Sequence, residues 1–191
     1  MIRRDIVVIG ASVGGVEALK VLVAGLPSTL SAALLTVLHR PIHGPSTLRE
    51  ILERVGSLPV SYPEDGDLIV PRQTYLATAD KHLSVKKRIR LTNGAKENHP
   101  RPAIDVLFRF TSASFGPGVI GIVLSGYLND GTAGLRAVKD AGGVAVVQSP
   151  EEAQRKPMPL SAIQHVAVDR VLPVADLANE IIRLVEHAAL P

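Results

Sequence analysis

The sequence contains no cysteine. This excludes disulfides, thiolate metal ligands and a cysteine nucleophile. It contains no tryptophan either, and aromatic residues make up only 3% of the chain, too few for a nucleic-acid platform built on base stacking. No apolar run approaches the roughly 20 residues needed to cross a bilayer. The amino-terminal stretch lacks a signal-peptide core, because Gly10, Ser12, Gly14 and Gly15 interrupt its apolar residues. A strong charge bias is also missing: Lys and Arg total 21 against 18 Asp and Glu, a net charge of +3. These absences point to a cytoplasmic protein that neither inserts into membrane nor binds nucleic acid. Apolar residues at 46% and charged residues at 20% match a globular chain and argue against wholesale disorder. With 191 residues and no internal repeat or low-complexity linker, the expectation is a single domain over residues 1–191.

The apolar pattern is one of short continuous runs between amphipathic stretches. Ile6 to Ile9, Ala32 to Leu38, Val119 to Leu124 and Val144 to Val147 suit strands buried on both faces, as in a parallel sheet. Helix-like segments cover Val16 to Ala24, Ser46 to Val55, Ala103 to Ser114, Thr132 to Ala141 and Ala175 to Ala188. Alternating strand and helix predicts a doubly wound α/β fold. The middle departs from this rhythm. Tyr75 to Ala77, Leu83 to Val85 and Ile89 to Leu91 read as one or two inserted antiparallel hairpins, and 93–102 and 150–159 as polar loops.

The first strand runs directly into Gly10-Ala11-Ser12-Val13-Gly14-Gly15 and then a helix. This matches the G-x-S-x-G nucleophile elbow in its strand–turn–helix setting. Glycines allow the tight turn, and the following helix offers unpaired N–H groups to an anionic intermediate. Two other readings compete. Ser12 is also a good helix N-cap, and a glycine loop before a helix also binds phosphate. A dinucleotide fingerprint, however, would want Gly at Ser12 and an acidic residue where His39 stands.

His39 follows the second strand, at the sheet edge where open α/β proteins bind ligands. An imidazole there can act as general base toward Ser12; His43 is its neighbour in the same loop. Asp130 follows the third long strand, in Ser125-Gly126-Tyr127-Leu128-Asn129-Asp130-Gly131. A carboxylate there can orient the imidazole, although Asp before Gly131-Thr132 is also a good helix start. With the common strand order 3-2-1-4-5, these loops surround one switch point. The chain order Ser, His, Asp differs from the α/β-hydrolase order Ser, acid, His.

Five stretches resemble the catalytic domain of the chemotaxis protein-glutamate methylesterases of the CheB type. They are Ile9 to Leu19, Leu38-His39-Arg40-Pro41, Tyr75 to His82, Arg101 to Phe108 and Val123 to Leu135. Ala141-Gly142-Gly143, Gln148 and Met158-Pro159 follow in the family's order. The resemblance implies a Rossmann-like, mostly parallel sheet with helices on both faces and an inserted antiparallel hairpin. It implies a triad of Ser12, His39 and Asp130, with oxyanion donors at Val13 and Tyr127 and no cofactor or metal. The implied reaction hydrolyses glutamyl methyl esters on methyl-accepting chemoreceptors and releases methanol; some members also deamidate glutamines. Family members usually carry an amino-terminal receiver domain. Ser12 lies too near the start for one, so a stand-alone catalytic domain is expected, with a receiver protein in trans as a candidate regulator.

Several positions depart from the family. Val13 stands where the family usually has Thr or Ala, Ala103 where it commonly has Ser, and Tyr127-Leu128 where it has Met-Gly. Leu128 is expected to alter the backbone angles of its loop. Among the remaining residues, His82 is expected to be structural or to sit at the rim, and Arg101 and Asp105 to form an ion pair or loop anchor. His99, His165 and His187 show no metal-site spacing. Lys86-Lys87-Arg88 reads as a solvated turn, and Phe108, Phe110 and Phe115 as core. The chain is thus read as a serine esterase. A non-catalytic receptor-binding module is the alternative, and a nucleotide-binding protein is the weaker third reading.

Overall fold

The structure, a computed structural model, describes residues 3–39, 47–97 and 100–186. Arg40, Pro41, His43, Ser46, His99 and His187 lie outside the described residues. In chain order the first elements are β1 (Ile6–Ala11), α1 (Gly15–Ala24), β2 (Ala33–Leu38), α2 (Leu48–Val55), β3 (Val60–Ser61) and β4 (Gln73–Leu76). Then come β5 (His82–Lys86), β6 (Arg88–Thr92), α3 (Ile104–Phe115), a 3-10 turn (Gly116–Gly118) and β7 (Val119–Val123). The last are α4 (Thr132–Asp140), β8 (Val144–Gln148), α5 (Pro157–His165), β9 (Arg170–Leu172) and α6 (Val174–Glu186).

Seven strands form one sheet in the order β3-β4-β2-β1-β7-β8-β9, and every pairing in it is parallel. Alternation of side chains sends Val7, Ile9 and Ala11 of β1 into one core and Ile6 and Val8 into the other. The first core is closed by α1, α2 and α6. The second is closed by α3, α4, α5 and the β5–β6 hairpin. Because both faces are covered, the central strands are apolar throughout, which is why they appear in the sequence as unbroken runs. The expected order 3-2-1-4-5 is present at the centre as β4-β2-β1-β7-β8, with β3 and β9 added at the edges. Those edge strands are only two and three residues long, too short to show a period.

Some expectations need correction. Tyr75 does not belong to a hairpin. It lies in β4, which pairs parallel to β2 with Leu35 opposite Tyr75. The one antiparallel hairpin among the described residues is β5–β6, turning at the exposed Lys86-Lys87-Arg88. The polar loop expected over 150–159 ends earlier, because α5 begins at Pro157. Proline is tolerated in a first helical turn, where its missing N–H would have no partner. Phe108 is fully buried, but Phe110 is 37% exposed and lies under the Lys86 ammonium, 5.5 Å from ring centre to Nζ. Residues two apart on a helix point in nearly opposite directions, so both cannot face the sheet.

The sheet leaves no room beside Gly10, where a Cβ would overlap the Ile104 side chain of α3. Gly10→Ala should therefore destabilise the protein by roughly 1–3 kcal/mol, the cost of overpacking, measured by urea unfolding. An unchanged unfolding midpoint would show that α3 is free to move away.

Candidate active site

Order reverses at β1: the chain leaves it toward β2 on one side, and β7 lies on the other. Loops at the carboxyl ends of these strands diverge and open a crevice. Ser12 follows β1, His39 follows β2, and Asp130 ends the loop after β7. His39 is tied to the end of β1 by its N–H, which donates to the Ala11 carbonyl at 3.0 Å. Ser12 donates its N–H to the Ser125 carbonyl at 3.0 Å. A Cβ on Gly126 would stand 2.8 Å from the Ser12 Cβ, so glycine is what lets the β7 loop lie against the serine.

Neither competing helix-cap reading survives. The N-cap of α1 is Gly14, at φ 81, with no side-chain cap bond. That of α4 is Gly131, again without one. The Asp130 carboxylate instead caps a different helix. It accepts the N–H of Ile104 at 2.7 Å on Oδ2 and that of Asp105 at 3.1 Å on Oδ1, the first residues of α3. That helix has Ala103 as N-cap and no cap of its own. Asp105 returns the bond. Its Oδ1 accepts the N–H groups of Gly131 at 3.0 Å and Gly134 at 2.6 Å. Two buried carboxylates thus exchange places at the starts of two helices, where N–H groups and the helix dipole favour negative charge. The loop-anchor expectation for Asp105 holds, and the anchored loop is the one carrying Asp130.

The His39 Nε2 atom lies 2.9 Å from Asp130 Oδ2. That contact is the largest of the influences that lower the Asp130 carboxyl. Oδ2 already accepts the Ile104 N–H. Burial by itself would raise the Asp130 carboxyl. The close His39 contact and the Ile104 and Asp105 N–H groups outweigh burial and hold the carboxyl below its ordinary value of 3.8. Since Nε2 faces Asp130, Nδ1 is the ring nitrogen left for another partner. Among the described residues no hydrogen bond joins the Ser12 hydroxyl to the ring. The N–H groups of Val13 and Tyr127 likewise have no acceptor among the described residues.

Leu128 does not abolish a glycine-type conformation in its loop: it adopts φ 61 itself. The loop is held on both sides. Gly126 donates to the Arg155 carbonyl at 3.1 Å and accepts from Met158 at 3.0 Å, while Asp130 and Gly131 bond to α3. These anchors offset a left-handed penalty of about 1–2 kcal/mol.

His82 is buried away from the rim. Its Nε2 donates to Ala95 at 2.8 Å and its Nδ1 accepts the Ala103 N–H at 3.2 Å, so it joins the hairpin to the start of α3. Arg101 pairs with Asp80 at 2.8 Å and reaches the Asn93 and Gly94 carbonyls. The glycine loop is not an open phosphate cradle, because a Cβ at Gly14 would meet Gln154 at 2.6 Å and Ser125 at 2.7 Å. Sequence reasoning missed Ser125, whose hydroxyl donates to the Val13 carbonyl at 2.8 Å. Gln148, known from the sequence only by its place in the family's order, accepts the Ser125 N–H at 2.8 Å. A polar residue just after an apolar strand is the signal that Ser125 offered. Among the described residues, no three His, Asp or Glu side chains gather as metal ligands.

Fold and site together define a parallel α/β protein with a hydroxyl, an imidazole and a carboxylate at one switch-point rim. The CheB methylesterase family matches residues 7–181. The chain belongs to that family, and it is an enzyme of the protein-glutamate methylesterase class. It is 34% identical over 182 residues to a Leptospira interrogans protein provisionally named a protein-glutamate methylesterase/protein-glutamine glutaminase, with 94% of each chain covered. It is 33% identical to a protein-glutamate methylesterase/protein-glutamine glutaminase of Photorhabdus laumondii, covering 94% of this chain but only 52% of that one. The chain therefore spans about half the length of that longer relative. The crystal structure of the Thermotoga maritima CheB methylesterase catalytic domain superposes with a TM-score of 0.89 at 31% identity, covering 94% of this chain and 98% of that one.

The Asp130 carboxyl yields a pH prediction. A carboxyl held below 3.8 in the fold adds stability that is complete above its unfolded value and is lost as pH falls through the lower folded value. Asp130→Asn cannot gain that proton. Its urea midpoint should fall less than the parent's as pH is lowered below 3.8; parallel curves would contradict the shift.

Proposed function

We propose that this chain is a serine esterase that hydrolyses glutamyl methyl esters on methyl-accepting chemoreceptors or related signalling proteins. The observation that carries the reading is the His39 Nε2–Asp130 Oδ2 contact of 2.9 Å on the rim that also holds Ser12. In this reading the Ser12 hydroxyl attacks the ester carbonyl and passes its proton to Nδ1 of His39. Asp130, kept ionised by α3, stabilises the resulting imidazolium. The N–H groups of Val13 and Tyr127, without other acceptors among the described residues, receive the oxyanion. Collapse of the tetrahedral intermediate expels methoxide, which takes the proton from His39 and leaves as methanol. Water then attacks the acyl-serine with His39 as base, releasing the glutamate carboxylate and restoring Ser12. A glutamine side chain at the same place would lose ammonia by the same steps.

No step draws on a metal or cofactor, and residues 1–191 act as one catalytic domain. No helix of the described residues is long and apolar enough to cross a membrane. In the proposed reading the enzyme works in the cytoplasm on the inner portion of a receptor. A receiver protein in trans is the candidate regulator.

The open Ser12–His39 pair is compatible with this reading, because catalytic hydrogen bonds are often long or poorly aligned until substrate binds. Ser12→Ala and His39→Ala should each lower methanol release from methylated receptor by about 10³-fold or more. A phosphonate ester should add its mass to the parent but not to Ser12→Ala. Receptor binding without labelling or turnover would show a non-catalytic binding module instead.

A further inference from the structure

Arg155 stands beside the candidate site, and among the described residues most of its side-chain hydrogen-bonding capacity is unspent. Its main chain is joined to the residues that abut Ser12. The Arg155 N–H donates to the Ser125 hydroxyl at 2.9 Å, and its carbonyl accepts the Gly126 N–H at 3.1 Å. Ser125 in turn holds the Ser12 N–H and the Val13 carbonyl. The guanidinium carbon lies 5.2 Å from the centre of the Tyr127 ring, in cation–π range.

A guanidinium carries five N–H donors. Here Nη1 donates to the Gln154 carbonyl at 3.2 Å, while Nε is buried without an acceptor among the described residues. Other arginines differ: Arg101, Arg109 and Arg183 each meet a carboxylate within 2.9 Å. An arginine stacked on an aromatic face is already ordered, so little side-chain freedom remains to be lost when it meets an anion. The surrounding rim is apolar. Val13, Tyr127 and Leu128 are 42%, 49% and 65% exposed. Beyond them lies the exposed Lys156. A ligand presenting an ester to Ser12 would meet apolar contact at this rim and, among the described residues, the Arg155 guanidinium with donors to spare.

We propose that Arg155, held on Tyr127, binds a carboxylate of the substrate segment adjacent to the scissile ester. The enzyme thereby selects methyl esters that have an acidic neighbour. This rests on Ser12 being the nucleophile. The paired geometry of a carboxylate suits the planar guanidinium better than it suits an ammonium. Two carboxylates could occupy the spot: a neighbour's, present throughout, or the product's own, formed by hydrolysis. The neighbour is the occupant proposed here, because in the proposed reaction the N–H groups of Val13 and Tyr127, without acceptors among the described residues, serve the reacting carbonyl.

Two synthetic peptides test this, each with one glutamyl methyl ester, flanked either by Glu or by the isosteric Gln. The parent should show about tenfold lower KM for the Glu-flanked ester at equal kcat, a preference that shrinks as salt is raised. Arg155→Gln should erase the difference and leave kcat unchanged, while Arg155→Lys should keep part of it. Equal KM values in the parent, or a kcat loss on both peptides in Arg155→Gln, would overturn the proposal. The second result would reveal a role in holding the Ser125 loop. Arg155-dependent inhibition by both free-acid products, without a KM difference between the esters, would assign the guanidinium to the product and also overturn it. The same peptides bound to Ser12→Ala, followed by fluorescence anisotropy, separate this inference from the catalytic reading. Preference for the Glu-flanked peptide there supports Arg155 even if no turnover is seen, and equal binding refutes it.

Discussion

A buried carboxylate can stay ionised only where donors replace the water it has lost. Asp130 meets this condition at the start of α3, where the N–H groups of Ile104 and Asp105 close on its two oxygens. Asp105 meets it at the start of α4, through Gly131 and Gly134. Each helix would otherwise begin with these N–H groups unpaired, and each carboxylate would lose two donors. The exchange solves both problems together, and it holds the α4 loop, with Asp130 in it, at a set distance from the ring of His39. The rim of the sheet is built around this pair. Gly10 is bare so that Ile104 can approach β1, and His82 fixes the residue just before the helix.

The opposite wall of the site is organised by a hydroxyl rather than a charge. Ser125 joins the elbow after β1 to the segment before α5, taking an N–H from Arg155 and giving its own proton to Val13. Between these two anchors the chain has only Gly126 to Asn129 in which to turn. That short span accounts for the left-handed Leu128: tethered at both ends, the loop accepts a strained residue where a glycine would rest without cost. It also leaves Tyr127 and Leu128 facing outward, where a monomeric surface usually avoids large apolar groups. Arg155 covers one face of the tyrosine ring. This side of the rim therefore has the character of a binding surface rather than of a core fragment.

How far the sequence could be read depended on the range of the forces at each position. The unbroken runs Ile6 to Ile9 and Val119 to Leu124 declared buried parallel strands, because burial on both faces leaves a local, uninterrupted signal. The helix from Pro157 was hidden by polar flanks and two prolines that look like loop residues outside a first turn. β4 was read as part of a hairpin because four residues have the same alternation in a parallel or an antiparallel pairing; its neighbour, β2, lies far back in the chain. Phe110 shares a helix that packs on the sheet, which suggests a core residue, but its spacing from Phe108 turns it outward. Ser12, His39 and Asp130 were legible as strand-end residues, whereas Ser125 and Arg155 had only ordinary loop identities.

By itself the sequence determined the buried strands β1, β2, β7 and β8, the elbow at Ser12, and the strand ends that carry an imidazole and a carboxylate. These are consequences of burial and turn chemistry acting over a few neighbouring residues. Only the tertiary structure decided that Asp130 caps α3 rather than its own helix, that Nε2 of His39 faces it, and that Arg155 rests on Tyr127. Such contacts join residues far apart in the chain: 26 positions separate Ile104 from Asp130. An N–H at a helix start will donate to any suitably placed carboxylate, so packing, not local preference, chooses which one arrives.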